Sequence, residues 1–221
     1  MKPLQLDLAV AVTNLVLIGG GEFSFGETRE IDEYIVSKIA RDNRTIAFIP
    51  AASGSPEYAQ HLGKYFKEID PSIETTNIPI YRGRDSRRQK NIDALRFAGC
   101  IYIGGGVTNN LLATLRQSAA EIAMREAAED GTVIAAIGAA ASCFGSHTRD
   151  MRGVTSALPA LGWLANTIVE APFDPEGDAT LRRLMSLANQ GIGIPPKTAI
   201  AIEAEGHAKV LGEGQIASYR K

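Results

Sequence analysis

The stretch from Gly131 to Gly145, Gly-Thr-Val-Ile-Ala-Ala-Ile-Gly-Ala-Ala-Ala-Ser-Cys-Phe-Gly, leaves this chain few ways to fold. Five apolar, partly β-branched residues, Val133 to Ile137, read as a strand buried on both faces. The Gly and Ala run behind them, Gly138 to Ala141, gives room for a very tight turn into a helix. That is the layout of a nucleophile elbow, which lifts a Ser or Cys above the carboxyl end of a sheet, where backbone N–H groups at the helix start stabilise an oxyanion. In this chain the apex offers neither a hydroxyl nor a thiol.

Around the elbow, apolar strands alternate with helical patterns. Leu15–Ile18 ends in Gly19-Gly20-Gly21, and Cys100–Ile103 ends in Gly104-Gly105-Gly106-Val107-Thr108-Asn109. Glycine runs at strand ends let the backbone turn sharply, and in an open parallel sheet such turns lie at the carboxyl edge where ligands bind. The first run reads equally as a tight turn without a ligand. Further strands are expected at Thr45–Pro50 and Thr75–Tyr81, and helices at the Ile31, Ile35, Ile39 repeat, from Ser55-Pro56 through Ile69, and over Ala119–Glu129. The expected class is α/β, doubly wound, with a mostly parallel central sheet, helices on both faces and one domain spanning residues 1–221.

Composition narrows the function. With a net charge of −2 and well-mixed charges, nothing suggests nucleic acid, and the polar segment Arg82–Arg88 reads as a solvated loop. The apolar stretch from Leu4 to Ile18 is interrupted by Asp7, Thr13 and Asn14 and is too short to cross a membrane. Two cysteines, Cys100 and Cys143, suit a reducing compartment better than a disulfide framework, which points to the cytoplasm. Metal-ligand spacing is not found among the His, Cys and carboxylate residues, and no cofactor is expected. His61 reads as a surface histidine and His207 as a turn residue.

Five features in order carry a resemblance: the first glycine turn, the Gly104-Gly105-Gly106-x-Thr-Asn turn with its Leu-Leu helix, the elbow strand starting at Gly131, Leu161-Gly162-Trp163-Leu164, and the run Gly191–Ala199. Together they resemble the serine peptidase family of dipeptidase E and cyanophycinase, peptidase family S51, whose fold is similar to that of the class I glutamine amidotransferases. The resemblance implies hydrolysis of peptide bonds at aspartyl residues by a Ser–His pair, with an oxyanion hole of backbone amides.

The family's catalytic residues do not carry over. Counting from Gly131, the Ser position of the family's Gly-x-Ser-Ala-Gly elbow falls on Gly138, followed by Ala139; anchoring on Gly138 as the first glycine moves it to Ala140. Strand length favours Gly138. The family's His, in an Asp/Asn-x-His-Phe/Tyr segment, falls on Pro172 of Glu170-Ala171-Pro172-Phe173. In cyanophycinases the His-Phe pair is followed, after two residues, by Arg-Gly-Arg, which resembles a clamp for the substrate; this chain reads Glu176-Gly177-Asp178 there, an inverted charge that would favour a cationic group, although Asp178 also suits a helix N-cap.

Two readings follow. One is a non-catalytic homologue that binds a small peptide-like or amino-acid-like ligand, or a protein partner, through Gly105, Gly106, Thr108, Asn109, Ala139, Glu170, Glu176 and Asp178, with a homodimer expected by analogy. The other is a working serine or cysteine hydrolase acting on aspartyl or β-aspartyl peptides with a displaced nucleophile, Ser142 or Cys143, served by His147.

Overall fold

In chain order the elements are β1 (Leu4–Gln5), β2 (Asn14–Ile18), α1 (Arg29–Lys38), β3 (Thr45–Ile49), α2 (Pro56–Ile69), β4 (Glu74–Asn77), α3 (Gln89–Arg96), β5 (Cys100–Ile103), α4 (Thr108–Leu115), α5 (Ala119–Glu129), β6 (Val133–Ile137), α6 (Ala139–Ser142), β7 (His147–Arg149), β8 (Ala157–Pro159), β9 (Thr167–Glu170), α7 (Ala179–Leu184), β10 (Gln190–Gly193), β11 (Thr198–Glu203), β12 (His207–Gly212) and β13 (Ala217–Arg220). The computed structural model describes residues 4–50, 56–153 and 156–221. The expected Ala51–Gly54 turn and the Ser55 cap lie outside the described residues.

The main sheet runs β1-β12-β11-β2-β6-β5-β3-β4. Its centre, β2-β6-β5-β3-β4, is parallel throughout, and β11, β12 and β1 extend it antiparallel. Period-2 alternation sorts each central strand between two cores. Leu15, Leu17, Ile101, Ile103 and Ile134 face α3, α4 and α5, whereas Val16, Ile18, Ile46, Phe48 and Tyr102 face α1 and α2. Apolar residues on both faces are what a sheet covered on both sides requires, so the doubly wound α/β class holds.

A second sheet, β13-β10-β9-β7-β8, was not foreseen. One face, through Val169 and Ile192, shares the core that contains Trp163 and Phe144; the other, through Ile168, packs on Leu181 and Leu184 of α7. The expected strand Thr75–Tyr81 is shorter, ending at Asn77. Pro79 has no N–H to continue the ladder, and Ile80 bonds back to the Ile78 carbonyl at 2.8 Å. His207 is not in the turn but opens β12, exposed and paired with Gln5, and His61 is exposed on α2.

Candidate functional site

The elbow is formed by β6, held between β2 and β5, and by the short α6. Gly138 stands between them at φ 61°, ψ −127°, with its N–H donated to the Ile18 carbonyl at 2.8 Å. This backbone is costly for a residue with a Cβ and nearly free for glycine. A Cβ built at 138 meets nothing within 4 Å, so the apex opens into space. Ala140 lies inside α6, fully buried, away from the apex.

Beside the elbow a cleft of about 340 Å³ lies between the carboxyl ends of β5 and β6 and those of β7 and β9. Gly106, Val107 and Thr108 form one wall, Ala139 and Ser142 the floor, and Arg149, Glu170, Pro172 and Leu184 the other side. Gly106, Thr108, Ala139, Glu170 and Pro172 among the expected site residues are therefore brought together here. Gly105 sits behind the wall, where an added Cβ would come within 3.3 Å of the Ile137 carbonyl. The first glycine turn has a packing cause: a Cβ on Gly19 would overlap the backbone of Ile194 and Pro195.

Asn109, Glu176 and Asp178 stand outside the cleft lining. The Asn109 amide donates to Asp150 Oδ1 at 2.7 Å and accepts from the Met151 N–H at 2.9 Å, tying α4 to the segment after β7. That amide, with the Arg152 N–H and guanidinium, pulls the Asp150 carboxyl down to about 2. Glu176 is exposed in a short turn. Asp178 occupies the N-cap position of α7 without a side-chain cap; it accepts from Arg182 Nε and the Tyr219 hydroxyl, both at 2.6 Å, and so joins α7 to β13. The segment before α7 is wound into a short turn capped by Asp174.

Glu170 ends β9 half-buried, and its Oε2 is sealed from solvent with no hydrogen-bond partner. Burial pushes its carboxyl up to about 7, opposed by the Arg149 and Arg183 charges and the Leu181 N–H and reinforced by Asp178. Arg149 was not anticipated. His147 pairs with Ile168 in parallel register, so Arg149 falls beside Glu170 two residues on, a placement visible only once β7 and β9 are paired.

The candidates for a displaced nucleophile are differently occupied. Ser142 is buried, its hydroxyl donating to the Ala171 carbonyl at 3.1 Å and accepting the Ala171 N–H at 2.9 Å. Cys143 is fully buried, bonded to the Ala139 carbonyl, and burial pushes its thiol up to about 12. His147 Nδ1 lies 3.4 Å from Ser146 Oγ. On the far side of Pro172, the Phe173 N–H donates to the Ile194 carbonyl at 2.9 Å, and its ring fills the place a Cβ on Gly193 would take. Pro172 itself is 3.8 Å from the Cβ position of Gly20. Among the described residues no cluster of His, Cys, Asp and Glu is arranged to hold a metal ion.

An elbow at the carboxyl edge of a parallel sheet, facing a cleft completed by a second sheet, defines a hydrolase-type α/β fold. The model of peptidase family S51 matches residues 15–210, and the chain belongs to that family. It is 31% identical over 170 residues to the uncharacterized peptidase YgaJ of Bacillus subtilis, covering 74% of this chain and 70% of the relative. It is 25% identical to the cyanophycinase of Synechococcus elongatus, covering 96% and 72% respectively. Among solved structures, a peptidase from an acI-B1 Actinobacterium superposes with a TM-score of 0.78 at 19% identity, over 95% of this chain and 91% of that one. A putative peptidase E protein from Listeria monocytogenes gives 0.63 at 18% identity, over 96% and 100%. These likenesses carry the fold.

Proposed function

We propose that this chain is a non-catalytic member of peptidase family S51, which uses the cleft beside the elbow to bind a small peptide-like or amino-acid-like ligand. The observation that carries the reading is Gly138: the elbow backbone persists at φ 61°, ψ −127°, and the position where a nucleophile would project is empty space. Proline at 172 supports it, since a side chain that cannot titrate leaves no general base there, a contribution of roughly 10²–10⁴-fold. The displaced-nucleophile alternative meets a Ser142 hydroxyl already bonded in both directions and a Cys143 thiol far from ionisation at neutral pH. Two free buried cysteines support a reducing location such as the cytoplasm, and among the described residues no helix is long and apolar enough to cross a membrane.

The test is turnover of aspartyl dipeptides and of β-aspartyl-arginine, together with stoichiometric labelling by a fluorophosphonate. Neither is expected above the uncatalysed background. Hydrolysis that disappears in Ser142→Ala or Cys143→Ala would overturn the reading. Thermal-shift screening against amino acids and dipeptides tests the binding half, and a ligand that raises Tm with the logarithm of its concentration above Kd is expected.

A further inference from the structure

The ligand-binding reading leaves the chemistry of the ligand open, and two side chains narrow it. The charged side chains lining the cleft are Arg149 and Glu170, one of each sign. They occupy neighbouring parallel strands, each two residues beyond the His147–Ile168 pair, and so have the same side-chain parity. Parallel neighbours lie about 4.8 Å apart. The two side chains therefore leave neighbouring strands side by side, and the Arg149 charge acts on the Glu170 carboxyl, so the cleft presents one cation and one anion together.

Both groups are also short of partners. Glu170 Oε2 is closed to solvent and accepts no hydrogen bond. Arg149 is exposed at the end of β7; its backbone pairs with Ala157, while among the described residues its guanidinium makes no hydrogen bond or ion pair. The rest of the lining is largely apolar, with Val107, Met151, Val169, Pro172 and Leu184 among it. A cleft of about 340 Å³ lies at the small end of the range for ligand sites, about 300–1,000 Å³.

We propose that Glu170 and Arg149 together read a zwitterion, Glu170 taking the ammonium and Arg149 the carboxylate of a free apolar α-amino acid whose side chain lies against the apolar lining. This assignment rests on the ligand-binding reading above. It differs from an anionic ligand, whose second carboxylate would face Glu170 in a site with one cationic wall. The groups that face Glu170 are Arg149 from β7 and Arg183, Asp178 and the Leu181 N–H from α7. Its carboxyl, pushed up to about 7, must ionise to hold an ammonium, so affinity should rise with pH between 5.5 and 8.

Calorimetric titration of the full chain with L-leucine, 4-methylpentanoate and 3-methylbutylamine tests the pair. Leucine is expected to bind, and each analogue, lacking one charge, to bind at least roughly tenfold more weakly. Glu170→Gln should weaken leucine and the amine but not the acid, and remove the pH dependence; Arg149→Met should weaken leucine and the acid but not the amine. The analogue series needs only the unaltered chain, so a variant that fails to fold does not spoil the test. Equal binding of 4-methylpentanoate and leucine, or leucine binding indifferent to both substitutions, would overturn the zwitterion assignment and leave the ligand-binding reading standing. Absence of leucine binding also overturns the assignment. The broader reading falls only if every amino acid and dipeptide of the thermal-shift screen fails as well.

Discussion

Ser142 and Ala171 exchange two hydrogen bonds, the Ser142 hydroxyl donating to the Ala171 carbonyl and accepting the Ala171 N–H. The pair fastens the helix behind the elbow to the end of β9 and engages the hydroxyl both as donor and as acceptor. Ser142→Ala would orphan two buried backbone groups, at a cost of about 1–3 kcal/mol. The expected outcome is a Tm lower by roughly 2–4 °C per kcal/mol in thermal unfolding. Fluorophosphonate labelling should stay at background in both proteins.

Gly138→Ser should fold, because the new Cβ enters open space, but should lose about 1–3 kcal/mol of stability to the strained backbone. The single variant should hydrolyse no aspartyl dipeptide, since a Ser hydroxyl needs a neighbouring base. Adding Pro172→His should yield trace hydrolysis at most, because losing the proline ring frees φ at 172 and lets the segment that would carry the imidazole shift. Strong activity from Gly138→Ser alone would identify a base already within reach, His147 first.

Asp32, buried on the inner face of α1 and hydrogen-bonded by Thr28 and Tyr65, predicts an acid-side slope in stability. Burial pushes its carboxyl up to about 6, above the unfolded value of 3.8, despite those hydrogen bonds. The folded protein therefore keeps a proton that the unfolded chain releases. The associated stability is present below about pH 4 and is lost as pH rises through about 6, on the order of 3 kcal/mol at about 1.4 kcal/mol per pH unit. Urea titrations of the unaltered chain and Asp32→Asn should diverge across this window, with the difference flat above pH 7. A difference independent of pH between 4 and 7 would refute it.

Cys143 should resist alkylation. With the side chain fully buried and the thiol held up to about 12, iodoacetamide at pH 8 should modify it only after unfolding. Mass spectrometry before and after denaturation reads the outcome directly, and rapid modification of the native protein would reopen its role as a nucleophile.

The sequence made the main sheet legible because its strands are continuous apolar runs and its helices carry repeats such as Ile31, Ile35 and Ile39. Ala119–Glu129 is helical over the expected residues, and Gly138 stands where strand length placed it. The second sheet was hidden for a physical reason. β7 and β8 are three residues each, too short for a periodic signal, and β10 and β13 pair across a long stretch of chain. Arg149 was invisible for the same cause, since its value lies in a cross-strand register with Glu170. Asp178 reads as a ligand contact because Glu176-Gly177-Asp178 inverts the charge that the family resemblance implies, whereas the fold sets it at the N-cap position of α7 with its carboxylate bonded by Arg182 and Tyr219.

The anchoring on either side of Pro172 has a bearing on what this scaffold tolerates. Ala171 is clamped by Ser142, and Phe173 is pinned by the Ile194 carbonyl and by the niche that Gly193 leaves for its ring. Position 172 is thus aimed by its neighbours, and position 138 by the Ile18 carbonyl and the strand it terminates. The two places where the family resemblance puts hydrolytic chemistry are the ones packing leaves open, while the residues next to them bear the mechanical load. Saturation mutagenesis scored for folding should be intolerant at 171, 173 and 193, the positions that hold the frame on which any chemistry is displayed.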